Sequence, residues 1–180
     1  MKKKKTLTII VQAGIIAAVY VALTYVSALL GLASGVIQVR ISEALCVLPL
    51  FTPAAVPGLF IGCALANLLT GSLPLDILFG SLATLAGALG AYGIRRGVYT
   101  TKKTHTARFL KVLTPFPNLL ANMLIVPWVL RWVYGVPDAI WFSTLTVGAG
   151  ELIAGVGLGL VLLFALERHA GQIFGRTFAP

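Results

Sequence analysis

Long apolar runs recur along the whole chain, separated by short stretches where proline, glycine and charged residues collect. The first run, Leu7 to Leu32, carries no charge. It exceeds the 7–15 residues of a secretory signal core, so it reads as a retained membrane helix over about 7–30. A polar-flecked loop over 33–41 follows. Two apolar pieces, about 42–53 and 54–71, are divided by Pro49, Pro53 and Pro57. Further helices are expected at about 75–95, 107–132 and 141–166, with a basic, threonine-rich loop over 95–106. The fold class expected is all-α: one integral membrane domain over 1–180, a bundle of six transmembrane helices with the second and third short or bent. Prolines permit the short helices where neighbours cover the freed carbonyls.

Charge decides whether 42–71 crosses once or twice. Lys2 to Lys5 form one basic cluster; Arg95, Arg96, Lys102, Lys103, Arg108 and Lys111 form another. Two crossings put both clusters, with Arg168 and Arg176, on one side. Only Arg40 and Arg131 of the 14 Lys and Arg are then left near the other. That asymmetry is the one expected of cytoplasmic loops, so both termini are placed in the cytoplasm of a multi-pass cell-membrane protein.

Composition agrees. The chain of 180 residues is 58% hydrophobic and 11% charged, with a mean hydropathy of +0.96; a soluble domain carries roughly a quarter charged residues. The net charge of +9 lies in clusters flanking apolar runs, which suits lipid headgroups and not nucleic acid. Cys46 and Cys63 sit in apolar stretches without ligand-like neighbours, so they read as small buried hydrophobes, and no metal or other cofactor is expected. His105 and His169 fall outside the membrane runs, which excludes an intramembrane Ser–His or H-E-x-x-H enzyme. No phosphate loop is present, so any ATP hydrolysis belongs to partner ATPases.

Five acidic residues exist. Asp138 and Glu167 fall at helix ends in solvent. Glu43, Asp76 and Glu151 fall within or at the edges of apolar runs, where a carboxylate at the bilayer centre costs roughly 2.5–3.5 kcal/mol and normally faces a cavity or a partner. In the six-crossing arrangement Glu43 lies near the outer face with Gln38 and Arg40. Asn67, Asp76, Trp128 and Arg131 lie at outer helix ends, with Glu151 about 15 Å into the last helix. The expectation is a binding cavity in the outer half of the bundle. Bland alternatives stand beside it: snorkelling for Arg40 and Arg131, interfacial belts for Trp132 and Trp141, and interhelical hydrogen bonds for Asn67 and Asn122. On helix 1, Gly14, Ala18 and Ala22 form one row of small residues and Ala13 and Ala17 another; Ala83, Gly87 and Ala91 repeat the pattern on the fourth helix. Such rows let another helix approach closely.

Three stretches in order, IQVRISEAL at 37–45 before Pro49, ALANLLTG at 64–71 and LDILFGSLATLAGA at 75–88, resemble the QueT family. These are queuosine-precursor substrate-binding subunits (S components) of energy-coupling factor (ECF) transporters. The resemblance is most specific over 36–92. It implies a six-helix S component that binds a micronutrient from outside. It also implies a membrane coupling subunit with two ATPase subunits, docked on the small-residue face of helix 1. The implied cargo is a 7-deazaguanine: preQ1, queuine or queuosine. On that footing Glu43 reads the base edge and Asp76 or Glu151 meets an aminomethyl cation. Asn67, Gln38 or Arg40 donates to the ring carbonyl, and Trp128 walls the ring. The alternatives are an S component for another flat vitamin or purine-like compound, or a non-transport membrane scaffold without a small ligand.

Overall fold

In the computed structural model, residues 2–33 and 37–175 are described, the side chains of 2–5 excepted. Ser34 and Gly35 of the loop after the first helix lie outside these residues, as does Arg176. The described residues are helical or irregular, without a strand. The elements are α1 (Lys2–Leu29), a 3₁₀ helix (Ile41–Leu50), α2 (Ala55–Leu69), α3 (Pro74–Thr100), α4 (Thr104–Leu113) and α5 (Phe116–Trp132). They continue with α6 (Ile140–Glu151), a π-helical turn (Leu152–Leu158), α7 (Gly159–Glu167) and α8 (Ala170–Phe174). Four stretches are long and apolar enough to cross a membrane: Thr6–Leu29, Pro74–Thr100, Thr104–Trp132 and Ile140–Glu167.

The region between α1 and α3 is a hairpin. Ser27 Oγ accepts from the Ile41 amide, Thr24 donates to Ser42, Tyr20 donates to Glu43, and Thr52 donates to Gln12. Positions therefore rise along the 3₁₀ helix as they fall along α1, and the two run antiparallel. On α2 the order reverses: Gly58 faces Ala13 and Ile16, and Gly62 faces Ala17 and Tyr20. A Cβ at either glycine would come within about 3 Å of α1, so this spacing of small residues sets how closely the helices approach.

The expected helix at 42–53 is thus a 3₁₀ helix over 41–50. Pro49 has no amide hydrogen, and in an α-helix its ring would strike the carbonyl four residues back. At 2.0 Å per residue instead of 1.5, ten residues span about 20 Å instead of 15. Nearly every side chain in it is buried, so neighbouring helices surround a geometry that is rarely sustained in isolation.

Three other boundaries differ from expectation. Helix α3 continues to Thr100, so the basic loop shrinks to 101–103 and Arg95 belongs to the helix, 7% exposed between the rings of Tyr92 and Tyr99. The stretch expected as one helix over 107–132 breaks at Thr114–Pro115, where Pro115 and Pro117 interrupt the ladder. The last long helix widens into a π turn directly after Glu151.

Gln12 donates to the Phe174 carbonyl, and Phe51 stacks on Phe174 with centroids 5.6 Å apart. The C-terminal helix α8 therefore packs at the end of the bundle where α1 begins. Lys111 and Glu167 pair on the same side.

Candidate functional site

The buried acids meet midway along the bundle. Glu43 is 5% exposed and Glu151 9%. Asn118 on α5 joins them: its Nδ2 donates to Glu43 Oε2 at 2.9 Å and to Glu151 Oε2 at 3.1 Å. Asn122, one turn further on, donates to Glu151 Oε1 at 3.0 Å. Tyr20 donates its phenol to Glu43 Oε1, and the Cys46 thiol lies 3.4 Å from Glu43 Oε2. Neither carboxylate has an ion-pair partner among the described residues. Asn118 lies about 21 Å along the helix path from either end of the Thr104–Trp132 stretch. Glu43 therefore sits deeper than the outer-face position expected for it.

Local sequence explains the convergence. The 3₁₀ helix, with three residues per turn, stacks Glu43 and Cys46 on one face. Asn118 enters because α3 offers Gly87 opposite; a Cβ there would run into the Asn118 backbone and side chain. The Ala83, Gly87 and Ala91 row is buried, which assigns it to internal packing. Gly155 leaves room for Glu151, since a Cβ at 155 would stand 2.8 Å from Glu151 Oε2. Gly150 lies against the backbone carbonyl of Gln38, too close for any side chain at 150.

Above the acids lies a cavity of about 60 Å³, lined by residues including Gln38, Arg40, Glu43, Asp76, Asn122 and Glu151. Cys63, Gly80, Thr84, Val126, Val147, Gly150 and Ala154 complete the wall. Gln38, Arg40, Asp76 and Val126 also line a wider space of about 400 Å³ that reaches Thr70, Ser72, Tyr134 and Val136. Together they form a funnel from the end of the bundle where α1 finishes down to Glu43 and Glu151.

Arg40 donates to Asn67 Oδ1 at 2.9 Å. Asn67 thus stands behind Arg40 and fixes its guanidinium, and it is absent from the cavity wall. Asp76, in the first turn of α3, accepts from the Tyr134 phenol at 2.8 Å. Tyr134 accepts in turn from the Leu73 amide. Partial burial raises the Tyr134 phenol above its ordinary value, and the bond to Asp76 adds to the rise, so the phenol stays a proton donor. Trp128 is not in the cavity wall; it is 51% exposed, and Val126, Val147 and Ala154 supply the apolar wall instead. Trp132 and Trp141 are more exposed still, as interfacial belt residues are.

Sequence reading passed over Tyr20, Asn118 and Tyr134. Asn118 had a legible signal: it lies four residues before Asn122, on the same helix face and in an equally apolar run.

On helix 1 the two small-residue rows separate. Ala17 is buried against α2 with Ala13 beside it, whereas Gly14, Ala18 and Ala22 are exposed, and Gly14 has no neighbour where a Cβ would be.

The family model described as QueT transporter matches residues 10–168. The chain is 39% identical over 85 residues to the queuosine precursor transporter QueT of Lactococcus lactis subsp. cremoris (strain MG1363). That match covers 47% of this chain and 49% of the relative, so it spans about half the length of each. No solved structure matches.

Proposed function

The chain belongs to the QueT transporter family, and on that premise we propose that it is the substrate-binding S component of an ECF-type importer, capturing a 7-deazaguanine from outside. A transporter family calls for binding and passage, not catalysis. The observation that carries the reading is the pair Glu43 and Glu151, buried at the foot of a funnel and hydrogen-bonded only to neutral donors. Each carboxylate costs roughly 2.5–3.5 kcal/mol at membrane depth. A ligand rich in N–H groups would offset that cost on arrival.

Lone-pair capacity orders the roles. An ionised carboxylate has about four acceptor positions, two per oxygen. Glu43 already accepts from Tyr20 at one oxygen and from Asn118 and Cys46 at the other. Glu151 accepts one bond at each oxygen, from Asn118 and Asn122. Glu151 therefore has one open position on each oxygen, the pattern that takes the two adjacent N–H groups of a guanine-like edge. This moves the edge-reading role from Glu43 to Glu151, leaving Glu43 a single contact. Arg40, held by Asn67, donates to the ring carbonyl with Gln38. Asp76, nearer the mouth, meets the aminomethyl cation of preQ1. The inner cavity of about 60 Å³ holds only part of a bicyclic ring, so the ligand extends through the shared neck into the wider space.

Orientation rests on charge. Lys2 to Lys5, the α3–α4 basic residues and Arg168 share the end where α1 begins; Arg40 and Arg131 lie toward the funnel mouth. The positive-inside rule makes the basic end cytoplasmic and the funnel outward-facing. The antiparallel hairpin of the 3₁₀ helix and α2 supports six crossings, with both termini inside. The exposed Gly14, Ala18 and Ala22 row then offers the face for a membrane coupling subunit carrying two ATPases.

Calorimetry on the detergent-purified chain tests the cargo, with preQ1, queuine, queuosine and guanine as ligands. Binding of preQ1 at least tenfold tighter than guanine is expected. Equal binding of guanine, or none of any 7-deazaguanine by folded protein, contradicts the reading.

A further inference from the structure

The basic end of α3 carries a second cavity that the transport site does not use. It measures about 510 Å³ and is lined by Tyr92, Gly93, Arg95, Arg96 and Thr100. Two guanidiniums here differ in setting. Arg96 is exposed. Arg95 is 7% exposed, with its guanidinium carbon 5.8 Å from the Tyr92 ring centre and 5.9 Å from that of Tyr99. Both rings lie within cation–π reach, and burial restricts the side chain, so less rotamer freedom remains to be lost when the guanidinium donates hydrogen bonds.

Depth locates the cavity. Arg95 lies 21 residues beyond Pro74, about 32 Å along α3 at 1.5 Å per residue. The hydrocarbon layer is about 30 Å thick, so Arg95, Arg96 and Thr100 reach the headgroup level. Tyrosine is the aromatic residue suited to that layer because its ring is apolar and its hydroxyl polar. Gly93 adds open space, with nothing within 4 Å of where its Cβ would be. The helix α4 packs alongside through Leu110 against Gly97. It presents an exposed Phe109 together with Arg108, while Lys102 and Lys103 are exposed in the turn before it.

We propose that this groove is a binding site for the headgroup of an anionic phospholipid. Arg95 and Arg96 hold the phosphate, the Tyr92 ring covers the glycerol region, and the acyl chains run along α3 toward the bilayer. Guanidinium pairs suit phosphate because their planar forks donate two parallel hydrogen bonds. The pair is distinct from the nearby lysines, which form a general electrostatic attraction to the leaflet.

The test is native mass spectrometry and melting of the full chain in detergent. It uses added dioleoylphosphatidylglycerol, dioleoylphosphatidylcholine or inorganic phosphate. The wild type should retain phosphatidylglycerol at least tenfold better than phosphatidylcholine. Arg96→Gln should weaken that retention at least fivefold, while Lys102→Gln with Lys103→Gln changes it less than twofold. Arg95→Gln should weaken it further where its melting shows it folded; Arg96→Gln, at an exposed position, decides the matter otherwise. Equal retention of the two lipids, an unaffected Arg96→Gln, or an equal loss in the lysine variant would overturn the site. Displacement of the lipid by millimolar phosphate would overturn the lipid assignment in favour of a free-anion site.

Discussion

Asn118 donates both hydrogens of one amide to two carboxylates, and this arrangement sets the chemistry of the site. Replacing it with alanine leaves Glu43 and Glu151 facing each other across a gap. A buried acceptor left unsatisfied costs about 1–3 kcal/mol, and more where it is charged. Asn118→Ala should therefore lose about 2–4 kcal/mol of stability, against about 1 for Asn122→Ala, read as the fall in Tm in detergent without ligand. Equal, small effects would mean the bridge contributes little. The acids themselves were legible in the sequence because a carboxylate in an apolar run is costly wherever it sits. Asn118 is legible only through its spacing to Asn122, since one amide in an apolar run has an ordinary explanation as interhelical glue. Trp128 lies outside the cavity lining: a tryptophan at a helix end suits a ligand wall and a membrane interface equally, and only the packing shows which face it occupies.

At the scale of elements, glycine and proline decide what hydropathy leaves open. Apolar runs located every long helix, yet a run of apolar residues is the same whether it rises 1.5 or 2.0 Å per residue. The 3₁₀ helix was therefore visible only as a short, proline-marked segment. The π turn after Glu151 was invisible for the same reason, since widening a helix changes no residue type. Small-residue rows were visible, but their partners were not. The structure pairs α3 with α5 through Gly87, pairs α1 with α2 through Gly58 and Gly62, and leaves Gly14, Ala18 and Ala22 uncovered. Gly87→Leu should push α5 away and carry Asn118 with it, costing about 1–3 kcal/mol in overpacking. It should lower Tm and weaken ligand binding together. Unchanged binding in this variant would mean that the floor of the site does not depend on the α3–α5 approach.

For the whole molecule, the two ends differ in kind. One gathers the basic residues of α3 and α4, Arg168, the ion pair Lys111–Glu167 and the start of α1. The other opens into a funnel whose floor is made by two acids at mid-depth. Charge distribution along the sequence leads to the same division into a basic end and an opposite end, because headgroup attraction acts on loops whatever the helix packing. The depth of Glu43 is not available from it, since it depends on Val39 and Ile41 lying alongside the end of α1, with their amides on the Leu32 carbonyl and Ser27 Oγ. The proposed function rests on Glu43 and Glu151 receiving the ligand's N–H groups at this floor. Calorimetric titration of preQ1 into wild type, Glu43→Gln and Glu151→Gln tests it most directly, with melting to show that each variant is folded. Tight binding by wild type is expected, with losses of at least tenfold in both variants, larger for Glu151→Gln because it is proposed to read the base edge. Folded acid variants that bind preQ1 as wild type does would contradict the proposed function.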